Sequence, residues 1–138
     1  MGIRTRNLST TILELQCSGA VTAAANKDAL LIPFDGFISN IVAVCASGGT
    51  GATNSILDVN YQGTTIFSAA TKITLASTTG VATYSAFTND PQSVTYGAAM
   101  TLDADSVSTN LMGVKVYITL SRNNPCTPTN LTEQDAVL

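Results

Sequence analysis

The stretch LDVNYQGTTIF, from Leu57 to Phe67, reads as a β-hairpin before any other part of the chain is considered. Leu57, Val59 and Tyr61 alternate with Asp58 and Asn60, the period-two pattern of a strand with one face on a core and the other toward water. Gln62-Gly63 separates this run from Thr64 to Ser68, and glycine supplies the positive φ that a two-residue hairpin turn demands. The same parity recurs on both sides of the hairpin. Upstream, Leu13, Leu15 and Cys17 oppose Glu14 and Gln16. Downstream, Met100, Leu102 and Ala104 oppose Thr101 and Asp103, and Val114, Val116, Ile118 and Leu120 oppose Lys115, Tyr117 and Thr119.

Shorter runs at Ala29 to Ile32, Lys72 to Leu75, Val81 to Phe87 and Ser93 to Tyr96 fill the intervals, with turn residues about every ten positions. This rhythm predicts an all-β chain, an antiparallel two-sheet sandwich or barrel, over residues 11–122. The expected loops are Ala20 to Asp28, Ser47 to Asn54, Thr88 to Gln92 and Ser106 to Asn110. Ser47 to Asn54 (SGGTGATN) is the most flexible of them by composition; it lacks the Lys-Ser/Thr that completes a phosphate-binding loop.

Phe37 to Ala46 departs from simple alternation. Ile38, Val42 and Val44 share one parity, and Phe37, Ile41, Ala43 and Cys45 share the other, so the strand is expected to be covered on both sides. One side meets the core. On the other, Phe37, Ile41 and Ala43 are candidate contacts with a neighbouring subunit, and a local overhanging loop is an equally simple cover.

Outside 11–122 the pattern changes. Residues 1–10 form an arm carrying Arg4 and Arg6, two of the six cationic side chains in the protein. Residues 123–138 form a tail in which Pro125 and Pro128 favour an extended path and Leu131, Val137 and Leu138 offer apolar anchors.

Composition narrows the function. Only 11% of the 138 residues are charged, against about 25% in an ordinary globular domain, and the net charge is −3. Nucleic acid and anionic lipid are therefore not expected partners. No apolar run is long enough for a transmembrane helix. The chain has no His and no Trp, so the usual acid–base and nucleophile constellations lack their central residue, and no enzyme activity is expected. Three cysteines without CxxC spacing suggest neither a zinc site nor a disulfide framework. Cys17 and Cys45 fit strands as small buried hydrophobes; Cys126 lies between prolines. Asp103 and Asp105 share one strand face with Asp58 in reach, which could hold Ca²⁺ through oxygen ligands, although solvent-facing aspartates are the commoner case. Tyr61, Tyr84, Tyr96 and Tyr117 could stack on sugars. No cofactor is expected.

From Phe34 to Arg122 the sequence resembles small jelly-roll domains of tailed-bacteriophage structural proteins. The pieces that carry the likeness are FDGFISNIVAV (Phe34 to Val44), SILDVNYQGTTIF (Ser55 to Phe67), YGAAMTLDADSV (Tyr96 to Val107) and GVKVYITL (Gly113 to Leu120). Similar sequences often carry Gly-Asp where Ala98-Ala99 stand here. The resemblance implies a jelly-roll sandwich, frequently a homotrimer, on the virion. A single domain with an arm and a tail fits a head decoration (cement) protein, made in the host cytoplasm and seated on the outer capsid surface. Its partner would be the major capsid protein, held through straps at Arg4, Arg6, Leu8, Leu131, Val137 and Leu138. The alternative is a tail or fibre module that binds host-surface glycans.

Overall fold

The computed structural model describes residues 10–68, 71–77, 80–84, 86–89 and 91–122. The expected alternation becomes strands: β1 (Thr10–Ala20), β2 (Ala24–Leu31), β3 (Gly36–Ser47), β4 (Ser55–Tyr61), β5 (Thr64–Thr65), β6 (Ile73–Leu75), β7 (Val81–Tyr84), β8 (Gln92–Val94), β9 (Ala99–Ser106) and β10 (Met112–Ser121). They form two antiparallel sheets. The first runs β1-β10-β3-β7, with β8 also on β3; the second runs β2-β9-β4-β5, with β6 also on β4. The chain crosses between sheets after β1, β2, β3, β6, β8 and β9, a winding compatible with a jelly roll.

Period-two burial closes the two sheets on each other. Leu15, Val114, Val116, Ile118 and Leu120 from the first sheet meet Leu57, Val59, Met100 and Leu102 from the second, all essentially without exposed surface. Phe67 is buried in the same core, with Tyr84 edge-on at 5.0 Å and Phe87 at 6.0 Å between ring centroids. The hairpin turn is as expected: Gln62 and Gly63 both take positive φ, 50° and 81°.

Three expectations need correction. β2 begins at Ala24, inside the segment read as a loop. Its first half, AANKD, is polar and irregular, with a register shift between Ala24 and Asp28, so periodicity could not reveal it. The SGGTGATN loop is tied down: Thr50 N–H donates to the Thr109 carbonyl at 2.6 Å and Ser77 Oγ to the Gly51 carbonyl at 3.0 Å. Buried Ser108 donates through Oγ to the Gly48 carbonyl at 2.6 Å, and its own N–H reaches Ser55 Oγ at 2.9 Å. Gly49 has a φ of 93°, and a Cβ there would collide with Ser108 Oγ and the Thr109 carbonyl. Glycine here serves close packing rather than mobility.

The third correction concerns β3. Asn40 pairs with Thr119 but Ile38 pairs with Leu120, so Ser39 is an extra residue in β3. This bulge reverses the parity of the strand. Ile38 points inward before it, Ile41 and Ala43 point inward after it, and all three are fully buried.

The turn before β9, which holds Ala98, is closed by Ala98 N–H donating to the Thr95 carbonyl at 3.1 Å. Gly97 in that turn supplies a φ of 80°.

Candidate interaction surface

Thr10 at the start of β1 lies opposite Ser121 at the end of β10. The segments 1–9 and 123–138 are therefore attached at one corner of the first sheet. Arg4, Arg6, Leu8, Leu131, Val137 and Leu138 themselves lie outside the described residues, as does Cys126. At that corner the Arg122 guanidinium carbon sits 4.1 Å from the centroid of the Phe34 ring, a cation–π contact. Beside it is a cleft of about 260 Å³ lined by Asp35, Phe37, Ser93, Thr95 and Arg122.

The outer face of the first sheet follows from its register. Ile12, Thr119 and Asn40 form one cross-strand row; Glu14, Tyr117, Val42 and Thr83 the next; Gln16, Lys115, Val44 and Val81 the third. Ile12 and Val81 are 64% and 62% exposed, and Val42, Val44 and Tyr117 are half-buried. Of the three residues expected to meet a neighbouring subunit, the structure leaves one with that option. Ile41 and Ala43 have no exposed surface. Phe37, on the other side of the bulge, is half-buried and shares the outer face with Val42 and Val44.

The outer face of the second sheet is built from different chemistry. Asp58, expected to face water, does point away from the core, yet it is only 4% exposed. Lys72 covers it: Nζ lies 2.9 Å from Asp58 Oδ2 and 2.6 Å from Asp105 Oδ2. Thr65 Oγ1 donates to the other Asp58 oxygen. Asp103 accepts from Asn60 Nδ2 at 2.8 Å and from Asn26 N–H at 2.7 Å. The hydrogen bonds to Asp105 and Asp58 hold the Lys72 ammonium well above the ordinary lysine range.

This arrangement bears on the Ca²⁺ reading. The position between Asp58 and Asp105 is taken by an ammonium group, and Asp103 spends its oxygens on amide donors. Among the described residues no three Cys, Asp or Glu side chains are gathered to hold a metal ion.

The tyrosines do not converge. Tyr84 packs against Phe67, Tyr117 lies on the outer face of the first sheet, and Tyr96 is 71% exposed in the turn before β9. Tyr61 accepts a hydrogen bond through its hydroxyl from Thr95 N–H at 3.0 Å. It borders a cleft of about 360 Å³ with Thr64, Thr65, Thr88, Asn89 and Gln92, and the described residues that line it carry no charge. Burial raises the pKa of Cys17 and of Cys45, and Cys45 donates to the Gly80 carbonyl at 3.3 Å. No helix among the described residues is long and apolar enough to cross a membrane.

Neither a protein-family model nor a curated protein matches the chain. Among solved structures, a chain of the cyanophage Pam1 capsid asymmetric unit is similar at 18% identity. The match covers 85% of this chain and 86% of that one, with a TM-score of 0.39.

Proposed function

We propose that this protein is a non-enzymatic virion component, a head decoration (cement) protein that trimerises and straps neighbouring major capsid subunits on the outer surface of the shell. The observation that carries the reading is the first sheet. It combines an outer face of Ile12, Val42, Val44, Val81 and Tyr117 with the attachment points of both chain ends at one corner, Thr10 beside Ser121. The sequence resemblance to phage jelly-roll domains supports it. In this reading Phe37, Val42 and Val44, rather than Ile41 and Ala43, face a sister copy, and the ends reach neighbouring subunits. Each contact is modest, and repetition over the shell multiplies it.

The absence of catalysis is part of the same proposal. It is supported by the lack of His, by burial that raises the pKa of Cys17 and Cys45, and by the commitment of Asp58, Asp103 and Asp105 to Lys72, Asn60 and Thr65. The test is cosedimentation of purified protein with empty heads that lack it. The full chain should bind in hundreds of copies per head, and chains without 1–8 or 125–138 should fold yet bind far more weakly. Undiminished binding by both truncated chains would refute the straps.

The second reading, a tail or fibre module for host glycans, is favoured by one feature: the cleft beside Tyr61, whose described amides and hydroxyls suit a sugar. Glycan-array binding abolished by Asn89→Ala, together with a handful of copies per virion, would establish it over the first.

A further inference from the structure

The cleft beside Tyr61 is lined from both sheets. Tyr61, Thr64 and Thr65 belong to the β4–β5 hairpin of the second sheet, and Gln92 begins β8 of the first. Most of its polar wall is tied down within the chain. Thr88 N–H donates to the Ile66 carbonyl at 2.7 Å and Thr88 Oγ1 to the Phe67 carbonyl at 2.8 Å, while Thr65 Oγ1 donates to Asp58 and accepts from Phe67 N–H. Gln92 is the exception. It lies opposite Ile38 in the ladder, faces inward with it, and is only 8% exposed. Its Nε2 donates to the Ser93 carbonyl at 2.9 Å, and among the described residues no donor meets Oε1. A buried acceptor without a donor is costly, and folded proteins settle it with a water or a ligand that brings the missing hydrogen.

Tyr61 supplies the complement. Its hydroxyl oxygen accepts the Thr95 N–H at 3.0 Å, and the hydroxyl hydrogen meets no acceptor among the described residues. One acceptor and one donor are thus left over in the same cleft. A secondary amide answers both with a single neutral group, because it carries one N–H and one C=O on opposite edges. In a sugar that group is an acetamido substituent. The Gln62, Thr64 and Asn89 side chains, exposed at the rim, are left for the sugar's hydroxyls.

We infer that this cleft takes the acetamido group of an N-acetylated sugar, with Gln92 Oε1 accepting its N–H and the Tyr61 hydroxyl donating to its carbonyl. The inference rests on the second reading above and names the glycan class that reading leaves open. Gln92 is the specificity-determining residue, since a buried acceptor discriminates against ligands that bring it no hydrogen.

Titration of the full chain, followed by amide NMR shifts, tests it with methyl N-acetylglucosaminide and methyl glucoside as probes. The wild type should bind the acetamido sugar at least about tenfold more tightly than the glucoside. Gln92→Met keeps the side-chain bulk and removes the acceptor, and Tyr61→Phe removes the hydroxyl alone. Each should keep the wild-type circular dichroism spectrum and bind the two sugars equally; should Gln92→Met fail to fold, Tyr61→Phe decides. Equal affinity of the wild type for both sugars, which would assign the missing hydrogen to water, overturns the inference, as does a preference that survives in the folded variants. Array binding of glycans without regard to acetamido groups overturns it while leaving the glycan reading in place, whereas an array with no binding at all removes both.

Discussion

On the second sheet, Asp58, Asp103 and Asp105 each meet a donor from their own chain, whereas the first sheet presents Ile12, Val42, Val44 and Val81 with Glu14 and Lys115 as its strand charges. The two faces have similar backbone architecture and differ in how far their polar groups are satisfied within the chain. Polar groups already satisfied within the chain gain little from a partner and must be desolvated to meet one. The apolar side chains interspersed on the first sheet's outer face gain about 25 cal/mol for each Å² removed from water. On the proposed function, the difference is one between a face closed by its own hydrogen bonds and a face left with free energy to release on contact.

The sharpest way to break this comparison is within β3, where the bulge separates inward from outward side chains. Ile41→Ala should cost about 3–4 kcal/mol by chemical denaturation, since it opens a cavity in a fully buried site. Val42→Ala, one residue along and facing out, should cost less than about 1 kcal/mol. Equal costs would mean that the parity assignment fails.

Next in size is the Lys72 network. Lys72→Met leaves the Asp58 carboxylate buried with Thr65 as its remaining partner, and should cost about 2–3 kcal/mol. Adding Asp58→Asn should recover about 1 kcal/mol, because the stranded charge is gone. The pH dependence has a defined sign. A lysine whose pKa is raised on folding contributes fully below its ordinary value of about 10.4, and that contribution is lost as pH climbs through the raised value. The stability gap between wild type and Lys72→Met should thus be flat from about pH 7 to about pH 10 and narrow only above it. A gap that narrows near neutrality would contradict the assignment.

The smallest effects on stability belong to the surface itself. Val44→Asp on the first sheet and Thr101→Asp on the second should each change unfolding free energy by less than about 1 kcal/mol. Their value lies in binding, where the two faces are expected to part.

Much of this architecture is legible in the sequence because one-sided burial writes itself as alternation. Leu13, Leu15 and Cys17, the Val114–Leu120 set and the Gln62-Gly63 turn could all be read directly. Ser39 could not be. An extra residue in a strand leaves no local mark, and the even and odd sets of β3 look equally apolar without it. AANKD gave no strand signal, since an exposed edge segment has no apolar side to alternate. The burial of Asp58 was equally hidden: it depends on Lys72, brought over it by the pairing of β6 with β4, a long-range consequence of register. The candidate surface was half legible. The doubly apolar character of Phe37 to Ala46 pointed to β3, while the choice of Phe37, Ile41 and Ala43 assumed an unbroken strand.

The most direct test of the central claim, that the first sheet and the chain ends are the docking side, is cosedimentation of wild type, Val44→Asp and Thr101→Asp with empty heads that lack the protein. The account predicts saturating binding by wild type and Thr101→Asp and binding by Val44→Asp reduced at least about tenfold. Equal binding by both variants, or no binding by the wild type, would contradict it.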